Sequence, residues 1–274
     1  MSELDNNNQT ITDADQEIAE STPIDQLLLE EMLKAGVLYG RSKSKTHPKM
    51  KKYTEMVRNG IELFDPVQTL DKLKEAKEFL QEIAKKGGLI LLVGTLPAAQ
   101  ESIKAMADKF GLPYVTNRWL GGTLTNYKTL SQRLHYYMNL KADRETGKLE
   151  KYTKKERFQF DKEINRLTTL FGGLEKYDRL PEVLLVVDAE EHDTGIREAK
   201  RLKIPVVALV NSNTNPVDME YIIPCNSNAK SSVVWVLNHL HQGIEQGQQE
   251  RNAVAKMKEE VKKEEVGAKD KPTN

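Results

Sequence analysis

The stretch VLLVVD at residues 183–188 is a run of apolar residues that ends in an aspartate. Two similar runs, LILLVG at 89–94 and VVALVN at 206–211, occur elsewhere in the chain. None of the three alternates between apolar and polar residues, as a strand with one solvent-facing side would. Each is therefore typical of a strand buried on both faces, which is the pattern of a parallel sheet. A weaker strand is predicted at LPYVTNR, residues 112–118.

Helical sequences accompany these strands. PAAQESIKAMADKFG at 97–111 and GIREAKRLK at 195–203 each follow an apolar run, and SSVVWVLNHLHQGIEQ at 231–246 closes the series. Alternation of strands and helices predicts an α/β domain whose parallel strands are joined by right-handed crossovers. Upstream, RNGIELFDP at 58–66 predicts a hairpin or an edge strand, with Asn59-Gly60 as the turn.

The region between residues 126 and 176 has no strand-like run. It contains two stripes of apolar residues at helical spacing. The first comprises Tyr127, Leu130, Leu134 and Tyr137, and the second comprises Phe160, Ile164, Leu167, Phe171 and Leu174. Because each helix is too short to be stable alone, the two are predicted to fold back on one another. We expect a helical hairpin that is inserted into the α/β domain and protrudes from it.

These patterns divide the chain into four parts. The α/β domain is predicted to comprise residues 22–125 and 177–247, with the helical hairpin at 126–176 between them. Residues 1–21 are acidic and polar, which predicts a disordered tail. Residues 248–274 are predicted to form a charged helix followed by a second disordered tail.

The composition excludes several classes of protein. The 274 residues include 41 basic and 41 acidic side chains, so the formal net charge is zero. No apolar run reaches the roughly 18 residues of a membrane span, so no membrane partner is predicted. The single cysteine, Cys225, excludes an intramolecular disulfide and a cysteine-based zinc cluster, and it favours a cytoplasmic protein.

The sequence contains one weak candidate for a catalytic site. The chain has neither a G-x-x-x-x-G-K-[ST] phosphate loop nor a G-x-G-x-x-G motif. Asp188 follows a predicted strand, where α/β enzymes place functional groups, and acidic residues and His192 come directly after it. An enzyme acting on a phosphorylated metabolite through this loop is one alternative. The other, which the sequence favours, is an acidic loop that caps the next helix through Asp193 or Thr194. We predict no catalytic residue, no cofactor and no metal.

The segment GRSKSKTHPKMKK at residues 40–52 has six lysines or arginines and no acidic residue. Its hydroxyl side chains can donate hydrogen bonds to phosphate oxygens. A cationic loop of this kind suits a nucleic-acid backbone, where binding comes largely from counterion release. The candidate RNA-binding residues here are Arg41, Lys43, Lys45, His47, Lys49, Lys51, Lys52 and the nearby Arg58.

A second candidate site is NRWLGGTLTNYKT at residues 117–129. Its glycines permit close approach of the backbone, and an exposed tryptophan would stack on a base. The alternative is a loop in which Trp119 anchors the core. The candidate RNA-binding residues here are Arg118, Trp119, Gly121, Gly122, Thr125, Asn126 and Lys128.

Several long motifs in this order resemble a known family. They are LKAGVLYGRSKSKTHPKM at 33–50, VGTLPAAQESIKAMADKFGLPYV at 93–115, NRWLGGTLTNYKTL at 117–130, and the stretch from LPEVLLVVD to NSNA at 180–229. Together they resemble the bacterial small-subunit ribosomal protein S2 family over roughly residues 24–245.

The resemblance implies a fold and a function. It implies a flavodoxin-like, that is Rossmann-like, parallel sheet with a protruding coiled-coil hairpin. It also implies a structural constituent of the small ribosomal subunit that binds 16S ribosomal RNA between head and body and supports translation. Other small-subunit ribosomal proteins, in many bacteria ribosomal protein S1, are the implied protein partners. The chain would be a monomer within the cytoplasmic ribosome.

The chain departs from the family pattern at several positions. The family usually has histidine where this chain has Leu38, Arg41 and Glu62, and it usually has lysine where this chain has Leu96. Fewer imidazoles weaken the case for zinc, which is consistent with our prediction of no metal.

Overall fold

The structure is a computed structural model that describes residues 26–269. It contains seven α-helices and eight strands in these residues. In chain order they are α1 Gln26–Ala35, β1 Tyr39–Ser42, β2 Thr54–Arg58, β3 Ile61–Phe64, α2 Pro66–Lys86, β4 Ile90–Val93, α3 Pro97–Phe110, β5 Tyr114–Val115, α4 Tyr127–Glu145, α5 Lys154–Phe171, β6 Val183–Val187, α6 Asp193–Leu202, β7 Val206–Val210, β8 Tyr221–Pro224 and α7 Lys230–Lys269. The disordered tails predicted at 1–21 and at the end of the chain fall wholly or partly outside the described residues.

The central sheet has five strands, all parallel, in the order β5-β4-β6-β7-β8. Numbered along the chain, this is the order 2-1-3-4-5 of doubly wound, flavodoxin-like folds. Every residue of β4, β6 and β7 is buried. The predicted Rossmann-like parallel sheet is therefore confirmed, and the continuous apolar runs are its central strands.

A smaller antiparallel sheet precedes it, in the order β1-β3-β2. Strands β2 and β3 form the hairpin predicted at Asn59-Gly60, where both residues have positive φ, 48° and 76°. Two consecutive residues with positive φ are what a tight hairpin turn of type I′ requires. The basic segment is not the simple loop that we expected, because it begins in β1 and continues through 3-10 helices at Lys43–Lys45 and Pro48–Tyr53.

Helix α7 packs closely along α2 because two of its glycines leave room for the α2 backbone. A Cβ atom built on Gly247 would lie 2.3 Å from the carbonyl oxygen of Gln81, and one on Gly243 would lie 2.8 Å from that of Lys77. Helix α2 itself starts at an Asp65 cap, whose carboxylate accepts from Val67 N at 2.9 Å.

Helices α4 and α5 lie in the chain between β5 and β6 and contact one another. Tyr137 Oη donates to Thr168 Oγ1 at 3.2 Å, and Arg144 forms an ion pair with Asp161 at 3.2 Å. The later residue of α4 thus meets the earlier residue of α5, so the two helices run antiparallel. A capping box at Thr153 and Glu156 starts α5.

Among residues 26–269, none of the helices is both long enough and apolar enough to cross a membrane.

Candidate nucleic-acid interface

The basic segment is attached to the central sheet through Ser212, which follows β7. The Arg41 backbone N–H donates to Ser212 Oγ at 2.8 Å, and the His47 backbone N–H donates to the Ser212 carbonyl at 2.8 Å. Met50 and Tyr53, which belong to the second 3-10 helix, are buried. These contacts fix the backbone that carries the basic side chains.

Five exposed side chains of the segment form what we call the lysine cluster: Lys43, Lys45, Lys49, Lys51 and Lys52. Within residues 26–254, whose side chains the structure describes, no carboxylate forms an ion pair with any of them. Lysines elsewhere are often paired, for example Lys34 with Glu30 and Lys230 with Glu101. The lysine cluster is therefore an uncompensated positive surface over the described part of the chain.

The other basic residues predicted here have different surroundings. Arg41 is half-buried, and its guanidinium donates to the Asn228 side-chain oxygen at 2.8 Å in the amide orientation that also lets Asn228 donate to Asp188 Oδ2 at 3.2 Å. Arg58 is half-buried in β2. His47 starts the second 3-10 helix, where its Nδ1 accepts from Lys49 N at 3.3 Å. These three residues lie closer to the protein body than the lysine cluster does.

The second site, which we call the tryptophan turn (residues 117–126), is organised by the buried carboxylate of Glu198 on α6. This carboxylate accepts from Gly122 N at 2.8 Å, Leu124 N at 3.0 Å and Thr125 N at 3.1 Å. Trp119 Nε1 and Thr125 Oγ1 also donate to it, each at 3.1 Å. Burial raises the pKa of Glu198, but these hydrogen bonds lower it more, and the net shift is downward.

Trp119 is half-buried, and its ring packs on Gly195 of α6, where an added Cβ would lie 3.1 Å from it. Around it, the predicted site residues Arg118, Gly121, Thr125, Asn126 and Lys128 are exposed, whereas Gly122 is half-buried with φ at 90°. The turn thus presents polar side chains to solvent while its tryptophan contacts the protein.

The Asp188 loop (residues 188–192) lies beside the tryptophan turn. Asp188 has φ at 67°, and its carboxylate accepts from Glu190 N at 3.1 Å and from Ser227 Oγ at 3.2 Å. Helix α6 begins at Asp193 after His192, with no side-chain cap, so the predicted capping by Asp193 or Thr194 is wrong. A helix whose first residue is Asp193 places that carboxylate inside the first turn, where it complements the helix dipole instead.

His192 is buried, and burial lowers its pKa. Its Nδ1 lies 2.8 Å from the Asp188 carbonyl oxygen, and its Nε2 accepts from Thr95 N at 3.4 Å. Both ring nitrogens are thereby used by the backbone. Among the side chains that the structure describes, those of residues 26–254, no group of three or more His, Cys, Asp or Glu is placed to hold a metal ion.

A polar cleft of about 400 Å³ joins the Asp188 loop to the tryptophan turn. It lies outside the ends of β4 and β6, where the strand order reverses. Its walls include Thr95, Asn117, Arg118, His192 and Thr194. Doubly wound folds use this position for ligands, and here it places the two sequence motifs side by side.

Sequence reasoning missed Glu198 and Ser212, although each organises one of the two candidate sites. Glu198 lies in a charged helical stretch and Ser212 in a polar loop, so neither carries a motif. Their roles arise from hydrogen bonds to residues that are distant in the sequence. The partners are 73 to 79 positions away for Glu198 and, in the contact with Arg41, 171 positions away for Ser212.

The family model described as Ribosomal protein S2 matches residues 32–247, which is well over half of the chain. The matched range includes the lysine cluster, the tryptophan turn and the whole central sheet.

Proposed function

Because the chain belongs to the ribosomal protein S2 family, whose members are structural proteins of the small ribosomal subunit, we propose that it binds 16S ribosomal RNA through the lysine cluster and the tryptophan turn. The observation that carries this proposal is that the lysine cluster is exposed and lacks carboxylate partners among the described side chains, residues 26–254. When bound, the protein lies where the head of the small subunit meets its body.

The lysine cluster supplies the sequence-independent part of RNA affinity. Ammonium groups that contact phosphates release condensed counterions, and the released ions drive binding. Ser42 and Ser44, which are exposed between the lysines, add hydrogen bonds to phosphate oxygens. Arg41, His47 and Arg58 contact RNA at the inner edge of this surface.

The tryptophan turn supplies a second contact. The N–H groups of Gly122, Leu124 and Thr125 are bonded to Glu198. The groups left for RNA are therefore Arg118 and Asn126 of the turn and Lys128 just after it. Gly121 is exposed with open space around its Cα, so a ribose-phosphate backbone has room to approach it. Trp119 acts mainly as the anchor that holds these groups in place.

Residues 126–176 form the protruding coiled-coil insertion and dock neighbouring small-subunit proteins, ribosomal protein S1 among them. The antiparallel contacts between α4 and α5 support this assignment. Tyr136, Met138 and Phe158 on these helices are exposed by 46%, 42% and 60%, and they provide apolar contacts for a protein partner. The ranges 22–125 and 177–247 together make up the α/β domain. The protein works in the cytoplasm.

No observation favours the enzyme alternative. The Asp188 side chain is only 6% exposed and its oxygens accept hydrogen bonds from the protein itself. A buried carboxylate that is bonded within the protein in this way organises its loop rather than contacting a substrate.

The test is incorporation into small subunits. A variant with Ala at all five positions of the lysine cluster competes with the parent chain for subunits that lack this protein. We expect the variant to be largely excluded. The matched control replaces five exposed but ion-paired lysines, namely Lys34, Lys86, Lys148, Lys200 and Lys230. Equal incorporation of parent and lysine-cluster variant would refute the assignment of this surface.

A further inference from the structure

The lysine cluster borders a groove that the proposed RNA contacts do not account for. The groove has a volume of about 450 Å³ and lies between the second 3-10 helix, the start of α2 and the loop before β8. The unpaired Lys49 and Lys52 stand along it, and Tyr53, Val217 and Met219 give it apolar walls. Lys72 and Glu220 also line it, but Lys72 is ion-paired with Glu75 at 2.7 Å and Glu220 accepts from Val206 N at 2.8 Å. Val217, one of these lining residues, is 54% exposed. The groove therefore combines positive charge with an uncovered apolar strip.

Residues 1–25, which we call the acidic segment, have the complementary chemistry. The segment has seven acidic side chains and no lysine or arginine: Glu3, Asp5, Asp13, Asp15, Glu17, Glu20 and Asp25. It also contains Ile11, Ile18 and Ile24. Carboxylates with interspersed isoleucines match a groove with interspersed lysines and apolar walls.

The distribution of charge along the chain also favours an association between the acidic segment and the lysine cluster. The chain has 41 basic and 41 acidic residues. The lysine cluster has no carboxylate partner within residues 26–254, whose side chains the structure describes, and the acidic segment has no lysine or arginine. The uncompensated charges of the two surfaces have opposite signs, so their association neutralises both.

The tether permits this association. The acidic segment joins α1, whose ten residues span about 15 Å, and four residues separate the end of α1 from the basic segment. A chain of 25 residues has a root-mean-square length of about 25–30 Å when flexible and reaches about 80 Å when extended. Covalent attachment then gives the acidic segment a local concentration on the order of millimolar.

We propose that the acidic segment docks on the lysine cluster and its groove when RNA is not bound. Its carboxylates pair with the lysines and its isoleucines cover Val217 and Met219. RNA then has to displace the segment, which suppresses weak, non-specific RNA binding by the free protein. The docking itself does not depend on the proposed function, but the competition with RNA does.

Zero-length carbodiimide crosslinking of the full chain tests the docking directly. This reagent joins a carboxylate to an amine only where the two are in contact. Glu101 and Lys230, whose exposed side chains are 2.6 Å apart, are the internal positive control. We expect crosslinks between the acidic segment and the lysine cluster that are lost at high salt and persist on dilution.

Three outcomes would overturn the docking. The control crosslink forms but the acidic segment forms none. The segment crosslinks equally to exposed lysines elsewhere, such as Lys154 and Lys155. The crosslinks disappear on dilution, which would show that the acidic segment binds the groove of a second copy of the chain.

An affinity measurement tests the competition. The variant carries Asn or Gln at all seven acidic positions of the segment, and binding to a 16S rRNA fragment is measured at about 50 mM and 300 mM salt. We expect about tenfold tighter binding at low salt and little difference at high salt.

A control variant has the same net charge, with seven exposed carboxylates neutralised elsewhere: Glu31, Asp71, Glu78, Asp108, Glu145, Glu150 and Asp178. An equal gain in affinity for this control would overturn the competition, because net charge alone would explain it. If neither the parent nor the variants bind the fragment, the RNA function itself fails, while the crosslinking result still decides the docking.

Discussion

Trp119 donates its indole N–H to Glu198 at 3.1 Å, and the same carboxylate accepts from three backbone N–H groups of the tryptophan turn. A residue on α6 therefore fixes the shape of a turn that precedes it by more than 70 residues in the chain. This relationship makes the second candidate RNA site dependent on one buried negative charge.

We expect Glu198→Gln to destabilise the protein by roughly 2–4 kcal/mol, because an amide cannot accept all five hydrogen bonds and leaves buried donors unpaired. The pKa of Glu198 is lowered by these hydrogen bonds against the opposing effect of burial. Its stabilisation is thus fully present above its ordinary value of 4.5 and is lost as the pH falls through the lower folded value.

The measurement is the free energy of unfolding of parent and Glu198→Gln between pH 7 and pH 3. The difference in unfolding free energy between the two proteins should become smaller as the pH falls toward 3. Glu191→Gln, at an exposed position on the same side of the cleft, is the control. A difference that stays constant over this range would contradict the prediction.

The lysine cluster should determine the salt dependence of RNA binding. With Ala at all five positions, we expect the slope of log K against log salt concentration to flatten by about 3–5. Titrations of a 16S rRNA fragment at several salt concentrations measure this slope. The variant with five ion-paired lysines replaced should keep nearly the parent slope, and an unchanged slope in the lysine-cluster variant would contradict the assignment.

Gly247→Ala should destabilise the contact between α2 and α7. Its new Cβ would meet the Gln81 carbonyl oxygen at 2.3 Å, so the two helices must move apart. The cost of about 2–3 kcal/mol for overpacking exceeds the gain of about 1 kcal/mol in helix propensity. Thermal unfolding checks this, with Gln249→Ala on the exposed face of α7 as the control. A rise in melting temperature for Gly247→Ala would show that the helices separate freely.

His192 should make the fold less stable in mild acid. Burial lowers its pKa below the ordinary value of 6.5, so the unfolded chain binds the proton more readily. The stability contributed by the neutral ring is present above pH 6.5 and declines as the pH falls below it. We expect part of the loss of unfolding free energy between pH 7 and pH 5 to disappear in His192→Asn. Exposed His135→Asn should retain the parent profile, and identical profiles for all three proteins would refute this role.

The central sheet could be predicted because burial on both faces leaves a direct mark on the sequence. The runs at β4, β6 and β7 are continuous and apolar, and each became a fully buried strand. β1 could not be predicted in the same way, because its sequence YGRS is polar and the strand forms by pairing with β3. Long-range pairing of this kind has no local signal.

The candidate sites show the same division. The lysine cluster was predicted because charge without acidic neighbours is visible in the sequence. The anchoring of Trp119 was one of two open alternatives, since an indole ring suits both a core and a base. The structure places it against α6 because Glu198 and Gly195 meet it there. This contact depends on how the chain connections bring α6 next to Trp119, and not on any residue near Trp119 in the sequence.

Ser212 holds the basic segment at two points, through Arg41 N and His47 N. The backbone that presents the lysines is thereby ordered when the protein folds, before any anion arrives. Only side-chain freedom remains to be lost on association, which favours a faster and tighter encounter than a flexible arm of equal charge would achieve.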